Sequence, residues 1–483
     1  MASQIVAVSV ESIEFHVLPM RTRFPFQYGI ASLTALPHLF VTATVVIDGQ
    51  KGTGISAEGL PPKWFTKDPN TTFEEDLPQM FGVIRQAAEF AISCSRGDSF
   101  FNWWQKLYEA QSSWAVSEGI PPLLANLGVS IMERAVIDGL CRLRGATFAN
   151  AVHANIFGIQ MGQVYPELED LEPAHLLPSE PLSSIVARHT VGLGDPLTDG
   201  DIEEPLNDGL PHSLEACIVA YGLDHFKVKL CGNLERDQNR LIQLSRVLDK
   251  GTGGNYQLTL DGNEQFGNIS AFREHWNAHN SRDEIQALFK NLLFVEQPLH
   301  RDYTLTEDVR ISLADWPDAP PMIIDESDAE IGSVVEALEL GYSGTSHKNC
   351  KGITKGIVNA CLVEHRRRQS PVKPIILSGE DLGNVGPIAL LQDLTVMSLL
   401  GIPHVERNGH HYFKGLSMLP KTIQMQILES HSDLYKPHED GFPTLRVEGG
   451  RVRIDSLLNS PFGFAPLIDT RQFVPLENWD IKL

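Results

Sequence analysis

The chain has 483 residues, 42% of them hydrophobic and 8% aromatic, enough to bury the core of one large decorated barrel or of two domains. Its 61 acidic and 39 basic residues give a formal charge of −22, which argues against nucleic acid or an anionic membrane as partner, since both require a basic footprint. Six cysteines, at 94, 141, 217, 231, 350 and 361, show no CxxC pair or regular spacing and indicate neither a zinc site nor a disulfide framework. A reducing, cytoplasmic setting is expected. The start MASQIVAVSVESIEFHVLPM lacks a basic leader region, and no run reaches the ~20 apolar residues of a membrane span.

The first 50 residues alternate as strands, IVAVSVESIEFHVLPM and LFVTATVVIDGQKGTG, with a turn signal at Asp48-Gly49, and predict an antiparallel sheet. From Phe73 to Gly145 the period becomes helical, with Leu124, Leu127, Ile131 and Ala135 at three- and four-residue steps. The aromatic run SFFNWWQKLYEAQSSW reads as helix packing or an interface. Residues 161–183, rich in Pro and acidic side chains, read as a surface insertion or connection. Beyond them strands and helices alternate: SSIVARHTVGL, FKVKL, YQLTLD, LLFVEQP, PMIIDES, TSHKN, PIILSG and IPHVER. So many repeats favour a closed parallel barrel over an open sheet. The tail from about 440, TLRVEGGRVRIDSLLNSPFGF, predicts hairpin-like strands that dock back on the first domain. GTGGNY and KGITKG lack phosphate-loop spacing and read as turns and helix starts.

Charge recurs where these strands end: LTLDGN gives Asp261, FVEQP gives Glu296, and IIDES gives Asp325 followed by Glu326. A single such carboxylate is commonly a helix cap or a solvated loop end. Three in register would repel one another around the barrel mouth unless a cation held them, and all-oxygen donors select magnesium, with manganese as substitute. Lys227 and Lys229, two apart in FKVKL, share one face of their strand, and Lys348 ends a later one. Paired ammonium groups in a buried mouth are expected to lower each other's pKa, which makes one of them a general base.

The ordered set KxK, Asp, Glu, Asp-Glu, Lys resembles the enolase superfamily, in particular its muconate lactonizing enzyme and mandelate racemase-like members. RFPFQYG and the following strand resemble that family's capping domain, MERAVIDGLCRLRG its AxxxAxxDxxGR-type helix, and VEGGRVRIDSLLNSPFG its returning capping strand. The resemblance implies an α/β fold, a modified TIM barrel (β/α)7β with an α+β capping domain. The implied division is a cap at 1–150, a connection or insertion at 151–184, the barrel at 185–415 and a segment returning to the cap at 416–483. It implies Asp261, Glu296 and Asp325 as ligands of magnesium and Lys229 and Lys348 as acid/base residues on opposite faces of the substrate. Lys227 would tune Lys229 and contact a substrate carboxylate, and Asn263 and Glu326 would support the ligands, Glu326 near Lys348. The implied chemistry is removal of a proton α to a carboxylate to give a metal-stabilised enediolate, a scheme general to that superfamily.

Two lysines favour racemization, epimerization or cycloisomerization. An acid-sugar dehydratase and a non-catalytic metal-binding homologue are the alternatives. The resemblance weakens in places: no histidine–aspartate pair matches mandelate racemase, PHVERNGHHYF replaces the Asp-x-Asp of dipeptide epimerases, and ILSGEDLG offers both Glu380 and Asp381. Tyr28, Glu380 and Asp381 are candidate substrate contacts, and Glu406, Asn408, His410 and His411 either bind a polar substrate end or form a surface loop. Specificity is expected in loops around 20–34 and 59–66, carrying Arg21, Arg23, Tyr28, Lys63 and Trp64. The expected partner is a small carboxylate-containing substrate, and association into a homo-oligomer is expected because large barrels often associate.

Overall fold

The computed structural model describes residues 5–94, 97–370 and 374–482. Its first sheet is a meander of β1 (Val8–Tyr28), β2 (Ala31–Ile47) and β3 (Gln50–Gly59). Asp48 and Gly49 both take positive φ, 49° and 84°, as a tight hairpin turn demands. The stretch around 20–34 is the far end of the β1–β2 hairpin rather than a loop, and a register shift between Arg21 and Phe26 re-aims its tip. Helices Phe73–Ser93, Phe100–Glu118 and Pro122–Arg144 follow. Thr72 and Glu75 form a reciprocal capping box at the start of the first. The aromatic run lies on the second helix, with Phe100, Phe101, Trp103 and Trp104 at most 1% exposed, so it is core packing.

The third helix lies directly on β3. A Cβ on Gly54 would sit 1.9 Å from the Ala135 carbonyl oxygen, and one on Gly139 would meet Val45 Cγ2 at 2.5 Å. Only glycine permits that approach. Charge pins the seam: Arg134 reaches Glu58 at 2.8 Å, while Asp138 accepts from the Ile55 amide at 2.9 Å and from Arg142 at 2.8 Å.

The second sheet is the barrel. Its strands are β4 (Ser184–Val191), β5 (His225–Lys229), β6 (Gln257–Asp261), β7 (Leu292–Glu296), β8 (Met322–Ile324), β9 (Gly344–His347), β10 (Ile376–Gly379) and β11 (His404–Arg407). All eight run parallel in chain order, and β11 closes on β4. A helix lies in each of the seven crossovers, giving the expected (β/α)7β barrel beside an α+β cap.

Two segments differ from expectation. Residues 161–183 form three single 3-10 turns whose Met161, Tyr165, Leu168, Leu176 and Leu177 are buried, and Tyr165 donates to Asn359 at 2.6 Å. Their polar composition belongs to the outer side of a packed connection. In the tail, β12 (Tyr435–Pro437) and β13 (Pro443–Leu445) pair with each other, and β14 (Arg451–Arg453) runs antiparallel to barrel strand β4. The strand that returns to the cap is β15 (Val474–Pro475), paired with β1 at Val17 and His16, some twenty residues beyond the stretch the sequence pattern suggested. Among the described residues no helix is long and apolar enough to cross a membrane.

Candidate active site

Side chains alternate along a strand, so Lys227 and Lys229 of β5 point the same way, into the barrel mouth. Lys227 is fully buried, with its Nζ 2.8 Å from Asp261, 2.8 Å from Glu296, 2.6 Å from Glu380 and 2.9 Å from Glu406. These carboxylates stand at the ends of β6, β7, β10 and β11. Lys229 shares the same Asp261 oxygen at 2.6 Å and lies 3.8 Å from Glu406. Across the mouth Lys348 pairs with Asp325 and, at 2.9 Å, with Glu380. A further cation, Lys351, sits 3.0 Å from the other Asp325 oxygen.

Glu296, Asp325 and Glu380 bring one ligand oxygen each within 4.8 Å of the others. Asp261 stands beside them with its Oδ2 drawn onto the two β5 lysines. Burial, and then the charge on Glu380, push the Glu296 carboxyl well above its ordinary range. Its Oε1 has no hydrogen-bond donor among the described residues. Glu380 goes the other way: burial raises it, but Lys227 and Lys348 together hold it well below the usual value. Three buried carboxylates that converge from three strands form a donor set of hard oxygens, the kind that suits magnesium.

The expected lowering of the Lys229 pKa is not what this arrangement gives. Burial, the largest influence, and Lys227 both push its ammonium down, but Asp261, with help from Glu406 and Glu380, holds it above the ordinary lysine value. Burial likewise lowers Lys348, and Asp325 and Glu380 raise it by more. The sequence pattern shows the neighbouring cation, whereas the sum over five converging carboxylates emerges only from the fold.

Glu380 therefore faces the mouth. The Asp381 carboxylate pairs with Arg407 and accepts from the Gly383 and Asn384 amides, and the residue lines the cavity above the charges. Asn263 sits at the mouth in a left-handed conformation, φ 42°, its backbone N–H donating to Asp261 at 2.8 Å. Glu326 is buried beside Lys67, 3.5 Å away, so its partner is a cap residue rather than Lys348, and burial raises its carboxyl to about 7. Lys67 also pairs with Glu264, which Arg301 holds at 2.8 Å. Neither Lys67 nor Glu264 carries a signal in the sequence, because each acquires its role where cap meets barrel.

Above the charges lies a cavity of about 540 Å³, its open mouth included. Lys229 and Lys348 both line it, beneath a wall of Phe26, Tyr28, Trp64, Tyr412 and Phe413. The Trp64 ring covers the Lys348 ammonium at 4.4 Å, a favourable cation–π distance. The Tyr28 hydroxyl is buried there with no hydrogen-bond partner among the described residues. Glu406 and Asn408 also reach the cavity, while His411 is buried against Cys217 and Asp195. Of the other expected specificity residues, Arg23 is spent on Asp208 and Lys63 on Asp76, and Arg21 is exposed.

No protein-family model matches the chain, and no curated protein matches it in sequence. Solved structures do match in fold. A mandelate racemase/muconate lactonizing enzyme from Bordetella bronchiseptica RB50 superposes with a TM-score of 0.58 at 13% identity, over 96% of this chain and 98% of that one. An N-succinyl Arg/Lys racemase from Bacillus cereus gives 0.57 at 14%, over 94% and 98%. A dipeptide epimerase from Enterococcus faecalis V583, complexed with Mg and the dipeptide L-Leu-L-Tyr, gives 0.56 at 14%, over 92% and 100%. The chain thus shares, over nearly its whole length, the barrel-and-cap fold of these solved structures.

Proposed function

We propose that the chain is a magnesium-dependent enzyme that removes the proton α to a carboxylate and returns one, as a racemase or epimerase, with Lys229 and Lys348 as the two proton carriers. One observation carries this reading. The two lysines come from β5 and from the residue after β9, four strands apart in a ring of eight, and both open into one cavity. Groups on opposite walls can reach the two faces of a single carbon, which a 1,1-proton transfer requires.

Glu296 and Asp325 would hold the ion, with Asp261 on one flank and Glu380 on the other as remaining oxygen donors. When bound, magnesium supplies positive charge that offsets these carboxylates and draws electron density from the substrate's own carboxylate. Once the carboxylates that hold both lysines above the ordinary lysine value are offset by the ion, one lysine would enter as the amine and take the α-proton, and the other would enter as the ammonium and deliver a proton to the opposite face. Lys227, fixed by its carboxylate partners, contributes a permanent charge toward the substrate carboxylate and stays protonated. Glu380 connects Lys227 to Lys348 and keeps the second lysine aimed. Trp64 and Phe413 exclude water from the transfer. The aromatic wall suits a carboxylic acid with an apolar or aromatic side group, and gives little for a polyhydroxylated sugar acid to bond, so dehydration of such acids is the weaker alternative.

The test is exchange of the α-hydrogen in D2O, followed by NMR across a library of chiral carboxylic and N-acylamino acids with magnesium present. Wild type should exchange at least one of them, and Lys229→Ala and Lys348→Ala should each lose exchange from one enantiomer by about 10²–10⁴-fold. Absence of exchange across the library would leave a binding protein. Undiminished exchange in both variants would remove the lysines from the chemistry.

A further inference from the structure

A second cluster lies in the helical layer outside β5 and β6. Asp237 is in the first turn of helix Leu234–Thr252, while His275 and His279 lie four residues apart on helix Ile269–Asn280 and so share one face. One ligand atom from each of the three lies within 4.8 Å of the other two. All three are buried, at 3%, 8% and 1% exposure. His275 Nε2 is 3.2 Å from Asp237 Oδ2, and the same carboxylate accepts from the Cys231 amide at 2.9 Å and the Gly232 amide at 3.0 Å.

A hydrogen bond accounts for Asp237 and His275, but not for His279. Neither of its ring nitrogens has a hydrogen-bond partner among the described residues, and its ring stands edge-on to His275 with centroids 4.3 Å apart. A neutral imidazole carries one N–H and one lone pair, and leaving such a group buried and unpaired is unfavourable. A leucine or phenylalanine in that apolar setting, against Phe289, would carry no such penalty.

We propose that Asp237, His275 and His279 form a binding site for a divalent transition-metal ion of the zinc class, separate from the oxygen-rich barrel mouth. Two imidazole nitrogens and one carboxylate oxygen suit zinc, cobalt or nickel, and discriminate against magnesium. The Asp237–His275 separation is near the ~3 Å that two ligands take around an ion with bonds of about 2.0–2.1 Å. Histidines at i and i+4 already face one point from a rigid helix. Through Asp237 the ion would also bear on the loop after β5, because that carboxylate holds the amides two and three residues beyond Lys229. The site stands on its own observations and does not rest on the reaction proposed for the mouth.

The experiment is titration of metal-stripped full-length protein with zinc by calorimetry, in excess magnesium so that the mouth does not compete, with cobalt(II) absorption and X-ray absorption on wild type. The expected result is one zinc per chain, an absorption edge and shells showing two imidazoles and only nitrogen and oxygen donors, and affinity falling by about 100-fold or more in His279→Leu. His275→Gln should weaken binding as well. If His279→Leu does not fold, the wild-type shells decide. No zinc binding above the magnesium background, undiminished affinity in His279→Leu, or a sulfur shell would overturn the proposal; a sulfur shell would move the ion to the buried His189, Cys217 and His411 group.

Discussion

Two sets of buried charge in this molecule are solved in opposite ways. At the seam between β3 and helix Pro122–Arg144, each charge has its own answer: Arg134 with Glu58, Asp138 with Arg142 and the Ile55 amide. At the barrel mouth four carboxylates crowd a single ammonium, Lys227, and Asp261 and Glu380 reach further lysines as well. The seam pairs its charges one to one. The mouth distributes Lys227, Lys229, Lys348, Lys351 and Arg188 over Asp261, Glu296, Asp325, Glu380 and Glu406, so its charges are shared rather than paired.

The largest effects should separate the two. Lys227→Met and Arg134→Met each strip the cation from a buried pair and should each destabilise the magnesium-free protein by about 3–5 kcal/mol in urea unfolding. Magnesium should restore part of the loss in Lys227→Met and none in Arg134→Met; equal responses would erase the distinction. Next, Gly54→Val forces a side chain onto the Ala135 carbonyl and should cost about 1–3 kcal/mol, again untouched by magnesium. Glu296→Gln should act in the opposite direction, stabilising the metal-free chain by roughly 1 kcal/mol while abolishing magnesium binding in calorimetry. Destabilisation there would mean that Glu296 is part of a balanced network after all. The smallest effect belongs to Trp64→Phe, which weakens the cover over Lys348 by about 0.5 kcal/mol and should show as a modest rise in KM for the exchanging substrate, with kcat little changed.

The barrel was legible because its strands are short, apolar and closed by a charged residue, so Lys229, Asp261 and Glu296 mark the ends of β5, β6 and β7 in the sequence itself. Asp325 and Lys348 follow the same rule one residue past β8 and β9. What stayed hidden depends on contacts distant along the chain. Nothing local tells Glu380 from Asp381; Lys227 takes the first and Arg407, from the next strand, takes the second. Lys67 meets Glu326 only because the cap docks where it does. The tail misled for a related reason, since a hairpin pattern specifies that a strand forms and leaves open which sheet receives it.

That tail joins both sheets. Within about thirty residues the chain adds β14 to the barrel and β15 to the cap, so its end works as a clasp between the two bodies. Separating them means breaking backbone ladders as well as packing. Cap and barrel should therefore unfold in one transition with the clasp in place, and in two once the chain is cut between β14 and β15.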